Sequence, residues 1–230
     1  MGAPVTPVAR DELALAYRRL NAAYAQTLRY AEDVRHLYQG MQRAVCQSLM
    51  GLANALETKD PYTRGHSERV GAFSRSLAAA LGLGALEVEA IAQAGLLHDL
   101  GKIGVPEGVL GKRGPLTEDE WSMMRRHPVL GAQIVAPFEF LAAAAPLIRH
   151  HHERWDGSGY PDGLIGEAIP LGARIIAVAD VYDALTSDRP YRVALDHPQA
   201  VEALAAEAGR TLDARAVAAF FRPHHGGVGA

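Results

Sequence analysis

The sequence is poor in cysteine, in long apolar runs and in excess positive charge. Cys46 is the single cysteine among 230 residues, which excludes an internal disulfide and predicts a reducing, cytoplasmic location. No stretch reaches the ~18 uncharged apolar residues of a membrane span, so we expect no membrane partner. Lys and Arg number 23 against 26 Asp and Glu, a net charge of −3, which excludes binding of a nucleic acid polymer through bulk positive charge.

Proline is absent from residues 8–60, where the only glycines are Gly40 and Gly51, so this segment is predicted to be a long helix. Apolar residues recur along it with alternating spacings of four and three, the a/d pattern of a left-handed coiled coil. The positions are Leu13, Tyr17, Leu20, Tyr24, Thr27, Ala31, Val34, Tyr38, Met41, Val45, Ser48 and Leu52. We expect a coiled-coil stalk that forms a homodimer; packing of this face against the chain's own domain is the alternative.

Helical periodicity continues from Tyr62 to Phe221, now interrupted every few residues by glycine or proline. One of the helices predicted there runs from Leu141 to His152. The predicted fold is all-α, a helical bundle behind the long N-terminal helix. We expect a helical segment at 1–51, a functional domain at 52–222 and a flexible tail at 223–230.

Histidine and aspartate stand at the ends or on the apolar faces of several predicted helices. These residues are His66, His98, Asp99, His127, His150, His151, His152 and Asp180. A divalent metal site needs imidazole and carboxylate ligands that converge on one point, and helical bundles build such sites in their interiors. Hydrogen-bonded core histidines, with Asp180 as a cap or half of a buried ion pair, are the alternative. Without cysteine in the set, iron, manganese or another divalent ion is favoured over structural zinc.

A basic and glycine-rich group accompanies these residues. The run Trp155–Pro161 is a predicted loop directly after the histidines, where we expect a substrate rim. Arg189 and Arg192 stand three residues apart, and Lys102 follows His98 by four. Arginine and lysine bind phosphate oxygens, so beside a metal pair these residues predict a phosphate clamp. An ordinary solvated pair of arginines is the alternative.

The order of these motifs resembles the HD superfamily of metal-dependent phosphohydrolases. His98-Asp99-Leu100-Gly101-Lys102 carries the His-Asp pair, with His66 upstream and Asp180 downstream. The run from His151 to Pro161, HHERWDGSGYP, resembles the HD-GYP subgroup, which is named for the Gly-Tyr-Pro of residues 159–161. The likeness extends from about Leu52 to about Phe221.

This resemblance implies a bacterial phosphodiesterase that hydrolyses cyclic di-GMP to linear pGpG and, in some members, to GMP. The implied metal ligands are His66, His98, Asp99, His127, His151, His152 and Asp180, with Asp99 bridging two ions. Catalytic roles are implied for Asp99, Lys102 and Asp183, the last as an acid that positions a ligand or a water. Substrate contacts are implied for Lys102, Tyr160, Arg189 and Arg192.

The resemblance also bears on metal count, mechanism and partners. Relatives with three metals carry a glutamate where this chain has Tyr62, so we expect two divalent ions, iron or manganese. The expected nucleophile is a hydroxide held between them. An upstream sensory or receiver partner is expected to act on the N-terminal helix. A non-catalytic cyclic di-GMP receptor and a phosphohydrolase for another nucleotide are the alternatives.

Overall fold

Helices form nearly all of the regular structure in the computed structural model, which describes residues 7–58, 65–112, 114–188 and 193–220. Within these ranges the α-helices are α1 Pro7–Glu57, α2 His66–Ala80, α3 Ala85–Leu97, α4 Glu107–Leu110, α5 Glu118–Met124, α6 His127–Val135, α7 Ala145–His150, α8 Leu171–Thr186, α9 His197–Glu207 and α10 Ala214–Phe220. Short 3₁₀ helices occur at Leu100–Gly104, Glu139–Leu141 and Gly166–Ala168. No strand occurs in the described ranges, so the predicted all-α fold with a long N-terminal helix is confirmed.

Two compact units divide the chain, residues 1–47 and residues 48–230. In the first, α1 exposes the apolar side chains of its heptad pattern; Leu20 and Tyr24, for example, are 66% and 64% exposed. In the second, the last turns of α1 bury Leu49, Ala53 and Glu57, which are spaced by four and therefore share one helix face. None of the helices described combines the length and the apolar character that a bilayer crossing requires.

Helix α8 is the central element of the second unit. It packs against α2, α7 and α9, and its Ile175, Ile176 and Val178 are fully buried. A helix with buried residues on most sides is typical of a domain interior. The capping box that Thr117 and Glu120 predict at the start of α5 is present.

The helix predicted from Leu141 to His152 is wrong in its bounds. Residues 139–141 form a 3₁₀ turn, and α7 runs only from Ala145 to His150. Pro146 explains the late start, because proline has no N–H to donate and fits only the first turn of a helix. His151 and His152 therefore follow the end of α7 and do not lie on its face.

Candidate metal centre

Six of the seven predicted ligands lie at or next to the ends of helices, and the seventh, Asp180, lies inside α8. His66 is the first residue of α2 and His127 the first of α6. His98 and Asp99 follow the end of α3, as His151 and His152 follow the end of α7. The fold brings these positions, which are separated by up to 114 residues of sequence, into one cluster.

His66, His98 and Asp180 form the first group of the cluster. His66 Nε2 lies 3.3 Å from His98 Nε2 and 3.4 Å from Asp180 Oδ1. The three ligand atoms all lie within 4.8 Å of one another. One cation can therefore contact all three.

His127, His151 and His152 form the second group. His127 Nε2 and His151 Nε2 are 3.4 Å apart, and one nitrogen of each of the three rings lies within 4.8 Å of the others. His127 and His151 are each 1% exposed. This set of three imidazoles also suits a divalent transition metal.

Asp99 joins the two groups. Its Oδ1 lies 3.3 Å from His127 Nε2, while its Oδ2 lies 3.5 Å from His98 Nε2 and 3.8 Å from His66 Nε2. The two oxygens of one carboxylate thus face different groups, which is the arrangement of a bridging ligand. Lys102 Nζ also bonds Oδ2, at 2.5 Å.

The hydrogen bonds of the rings identify the ligand nitrogens. His98, His127 and His151 each donate Nδ1–H to the backbone carbonyl three residues earlier, at 2.7–2.8 Å. In a neutral imidazole the other nitrogen then carries a lone pair. The Nε2 lone pairs of His127 and His151 therefore face each other at 3.4 Å and repel, and a shared cation removes that repulsion. The residues present therefore fit divalent metal ions.

The charge states follow from burial and from neighbouring charges. Burial lowers the pKa of His127, holds that of His151 well below its ordinary value, and lowers that of His152 to about 3. Burial alone would raise the pKa of Asp99, but the charges of Lys102 and the histidines hold it well below its usual range. Neutral imidazoles and an ionised carboxylate are the forms that bind metal.

Asp183 lies behind His66. Its Oδ2 accepts from His66 Nδ1 at 2.8 Å, and Arg69 donates to both of its oxygens at 2.5 and 3.1 Å. Burial would lower the pKa of His66, but this bond and the charges of Asp180 and Asp99 raise it. Since Asp183 orients a ligand from the side away from the cluster, its contacts make it a positioning residue for His66.

We expect Asp183→Asn to weaken metal binding by roughly 10- to 100-fold, the usual effect of removing a partner that orients a ligand. Titration calorimetry with Mn²⁺ on metal-stripped protein measures this. Asp119→Asn, the same change at an exposed position of α5, serves as the control and should bind like the wild type. Equal affinities for both variants would contradict the role given to Asp183.

Tyr160 lies in the predicted loop and faces the second group. Its ring centroid is 4.9 Å from that of His152, and its backbone N–H donates to the carbonyl of His152 at 3.2 Å. Burial raises the pKa of Tyr160, so its hydroxyl stays protonated and can donate a hydrogen bond. A Cβ on residue 159 would lie 2.3 Å from the backbone nitrogen of Arg154, so only glycine fits at this position of the loop.

Sequence reasoning missed three charged residues that fix the segments and side chains around the metal ligands through hydrogen bonds. The buried carboxylate of Glu153 accepts from the backbone of Asp162 and Leu164 at 2.7 and 3.0 Å and so secures the far end of the loop. Arg69 supports Asp183, and Glu57 bonds the start of α2. Nothing in the spacing of these residues signals their role, because their partners are backbone groups or distant side chains.

Some predicted residues lie outside the described part of the chain. These are Arg189 and Arg192 of the predicted phosphate clamp, and Tyr62, from which the metal count was predicted. Lys102, the third member of the clamp, is described and is paired with Asp99. His150, Glu153 and Asp162 form a further group of possible ligands. The carboxylate of Asp162 is already bonded within the protein, because Arg149 donates to both of its oxygens at 2.9 and 2.7 Å.

Without metal, the protein should lose stability as pH falls from 7.5 to 5.5. The lowered pKa values of His127, His151 and His152 mean that the unfolded chain binds protons below about pH 6.5 that the folded chain does not. His66, with its raised pKa, acts in the opposite direction. Each lowered histidine contributes up to about 1.4 kcal/mol per pH unit.

Thermal unfolding in EDTA across this range tests that expectation. The window lies above the titration range of aspartate, so a fall in Tm reports on the histidines. His152→Gln should flatten the dependence, and His36→Gln, an exposed histidine of α1, should leave it unchanged. A Tm that is the same at pH 7.5 and 5.5 would refute the assignment of buried neutral rings.

Sequence comparison supports a family assignment. The family model described as HD domain matches residues 51–216. The cyclic di-GMP phosphodiesterase response regulator RpfG of Xanthomonas campestris is 48% identical over 178 residues, covering 76% of this chain and 47% of that protein. The 3'3'-cGAMP-specific phosphodiesterase 2 of Vibrio cholerae is 34% identical over 209 residues, covering 90% and 40%. The chain thus spans less than half the length of these relatives.

Solved structures share the fold. A cyclic GMP-AMP specific phosphodiesterase of V. cholerae, V-cGAP3, superposes with a TM-score of 0.60 at 21% identity, covering 76% of this chain and 47% of that one. Bd1817, an HDG"Y"P protein from Bdellovibrio bacteriovorus, gives 0.54 at 21% identity, covering 67% and 49%. These likenesses concern the arrangement of helices.

Proposed function

Because the chain belongs to the HD domain family, we propose that it is a metal-dependent phosphodiesterase that hydrolyses cyclic di-GMP to linear pGpG, with further hydrolysis to GMP as the alternative end point. The observation that carries the proposal is the placement of Asp99, whose two oxygens face separate groups of metal-ligand atoms. The names of the relatives point to cyclic dinucleotides as the substrate class. We assign the activity to a domain of residues 52–222; the predicted tail at 223–230 lies outside the described part of the chain.

We assign two divalent ions to the cluster: His66, His98 and Asp180 would hold one, and His127, His151 and His152 would hold the other. The two oxygens of Asp99 face both groups. A donor set of imidazole and carboxylate without cysteine suits iron or manganese. When bound, such ions supply Lewis acidity, which lowers the pKa of water and stabilises negative charge on phosphoryl oxygens.

The chain's own residues bind and orient the phosphodiester. We assign Lys102, Arg189 and Arg192 to its non-bridging oxygens, where positive charge stabilises the transition state. The protonated hydroxyl of Tyr160 donates to the substrate at the rim of the site. Asp183 keeps His66 in its binding orientation.

Product analysis tests the proposal. Purified protein loaded with Mn²⁺ or Fe²⁺ is incubated with cyclic di-GMP, and pGpG and GMP are separated by chromatography. His98→Ala should abolish product, and His36→Ala, the same change at an exposed position of α1, should leave turnover unchanged. Cyclic di-GMP binding without product, in protein shown to hold metal, would instead establish a receptor.

A second candidate substrate is 3'3'-cGAMP, because a relative that matches 90% of this chain is named for it. Both dinucleotides carry the same two phosphodiesters, so the metal centre does not distinguish them. The ratio of kcat/KM for the two substrates, measured side by side, decides between them. A ratio above one for cyclic di-GMP supports the first assignment.

We also propose that α1 pairs with α1 of a second copy and receives the input of an upstream sensory or receiver partner. The exposed heptad side chains support pairing, since a coiled coil buries them. Leu20→Glu should convert a dimer to a monomer in sedimentation or light-scattering measurements. Leu37→Glu, a 74%-exposed leucine outside the a/d positions, should not. A wild-type monomer would refute the pairing.

A further inference from the structure

Glu57 is a buried carboxylate in the last turn of α1, only 9% exposed. Its Oε2 accepts from the backbone N–H of Gly65 and its Oε1 from that of Ser67, each at 2.7 Å. Between these two residues lies His66. One side chain of α1 therefore holds the backbone on both sides of a predicted metal ligand.

The start of α2 depends on this carboxylate. The first N–H groups of a helix have no partner within the helix, and its N-terminus carries partial positive charge. Gly65, at the N-cap position, has no side chain with which to cap. Glu57 supplies from another helix both the acceptors and the negative charge that the terminus requires.

His66 is thereby held at two ends. Glu57 holds its backbone, and Asp183 holds its ring through the 2.8 Å bond to Nδ1. Together these contacts direct Nε2 towards His98 and Asp180, at 3.3 and 3.4 Å. A shift of the first turn of α2 would move Nε2 away from these partners while leaving the second ligand group in place.

We infer that Glu57 is a positioning residue through which the last turn of α1 sets metal affinity at the group of His66, His98 and Asp180. The inference rests on the proposed metal-dependent function. The C-terminal end of α1, the helix that carries the heptad pattern, thus supports a predicted metal ligand. A displacement of that turn changes metal occupancy at one of the two groups and, through it, turnover.

The test is Mn²⁺ titration calorimetry on metal-stripped wild-type and Glu57→Gln protein. Glutamine keeps the shape but removes the charge and turns an –NH₂ towards one of the amides. We expect one of two binding events to weaken by roughly 10- to 100-fold, as for other partners that orient a ligand, and the other to stay unchanged. In turnover assays kcat should fall at limiting Mn²⁺ and recover at excess Mn²⁺, with the KM for cyclic di-GMP unaltered.

Two variants serve as controls. Asn54→Ala removes the 3.5 Å contact from Asn54 to Glu68, which also joins α1 to α2 but does not involve the amides beside His66. Glu12→Gln makes the same isosteric change at an exposed position of α1. Both should keep wild-type affinity at both sites.

Several outcomes overturn the inference. Wild-type affinity in Glu57→Gln does so, and so does equal weakening of both binding events, which indicates general loss of structure. If circular dichroism shows that Glu57→Gln is unfolded, Glu57→Asp takes its place; the shorter carboxylate should weaken one event less strongly, and unchanged affinity refutes the inference. A wild-type protein that binds Mn²⁺ but hydrolyses no cyclic dinucleotide refutes the proposed function alone, because the affinities still report on Glu57.

Discussion

Asp99→Asn is expected to lower kcat by at least ~10³-fold, beyond the roughly 10- to 100-fold cost of losing a partner that only orients a ligand. Asp99 is the one side chain of the described cluster whose oxygens face both ligand groups, Oδ1 towards His127 and Oδ2 towards His98. Asparagine has the same shape but no charge, and its –NH₂ cannot bind a metal. The protein should therefore lose bound metal together with activity, as elemental analysis will show.

The metal-free stability of this variant separates loss of the site from loss of the fold. The –NH₂ of asparagine can donate to an Nε2 lone pair that faces Asp99 in the wild type. We therefore expect the Tm in EDTA to stay within a few degrees of the wild-type value. Asp119→Asn, at an exposed position, is the matched control and should keep both metal and activity. Normal hydrolysis by Asp99→Asn would exclude Asp99 as the bridge.

Gly101→Ala is expected to lower activity by roughly 10²-fold, because it displaces the backbone that carries the ligands. A Cβ on Gly101 would lie 1.9 Å from the carbonyl oxygen of His127 and 2.4 Å from the backbone nitrogen of Gly131. Both atoms belong to α6, so no side chain can rotate to make room. The 3₁₀ helix Leu100–Gly104 and α6 would have to separate by about 1 Å, and a misplacement of that size can cost roughly 10²-fold in rate.

This separation acts on the junction of the metal centre, because Asp99 precedes the 3₁₀ helix and His127 begins α6. Overpacking typically destabilises by ~1–3 kcal/mol, and we expect at least the upper value where both contacts are backbone. Differential scanning calorimetry and metal analysis measure the two effects. Gly108→Ala is the control: its Cβ would meet nothing within 4 Å, so Tm should not fall. Wild-type Tm and metal content in Gly101→Ala would show that the close approach is not required.

Local pattern was enough to predict most of the helices and the types of ligand. The absence of proline from residues 8–60 predicts a continuous helix, and α1 runs unbroken from Pro7 to Glu57. Thr117 and Glu120 mark the start of α5 because both capping partners lie within one turn. The prediction of one helix over 141–152 was wrong, because it followed the apolar pattern and did not allow for Pro146, which restricts where α7 can start.

By itself the sequence determined which residues could bind a metal, because imidazole and carboxylate groups bind metals wherever they stand in the chain. The tertiary structure decided how these residues divide into groups and that Asp99 lies between them, since partners such as His66 and Asp183 are 117 positions apart. It also decided the roles of Glu57, Arg69 and Glu153, whose partners are buried amides and distant carboxylates. Helix periodicity depends on neighbours within a few residues, whereas a buried charge needs a partner that only the packing of distant segments supplies.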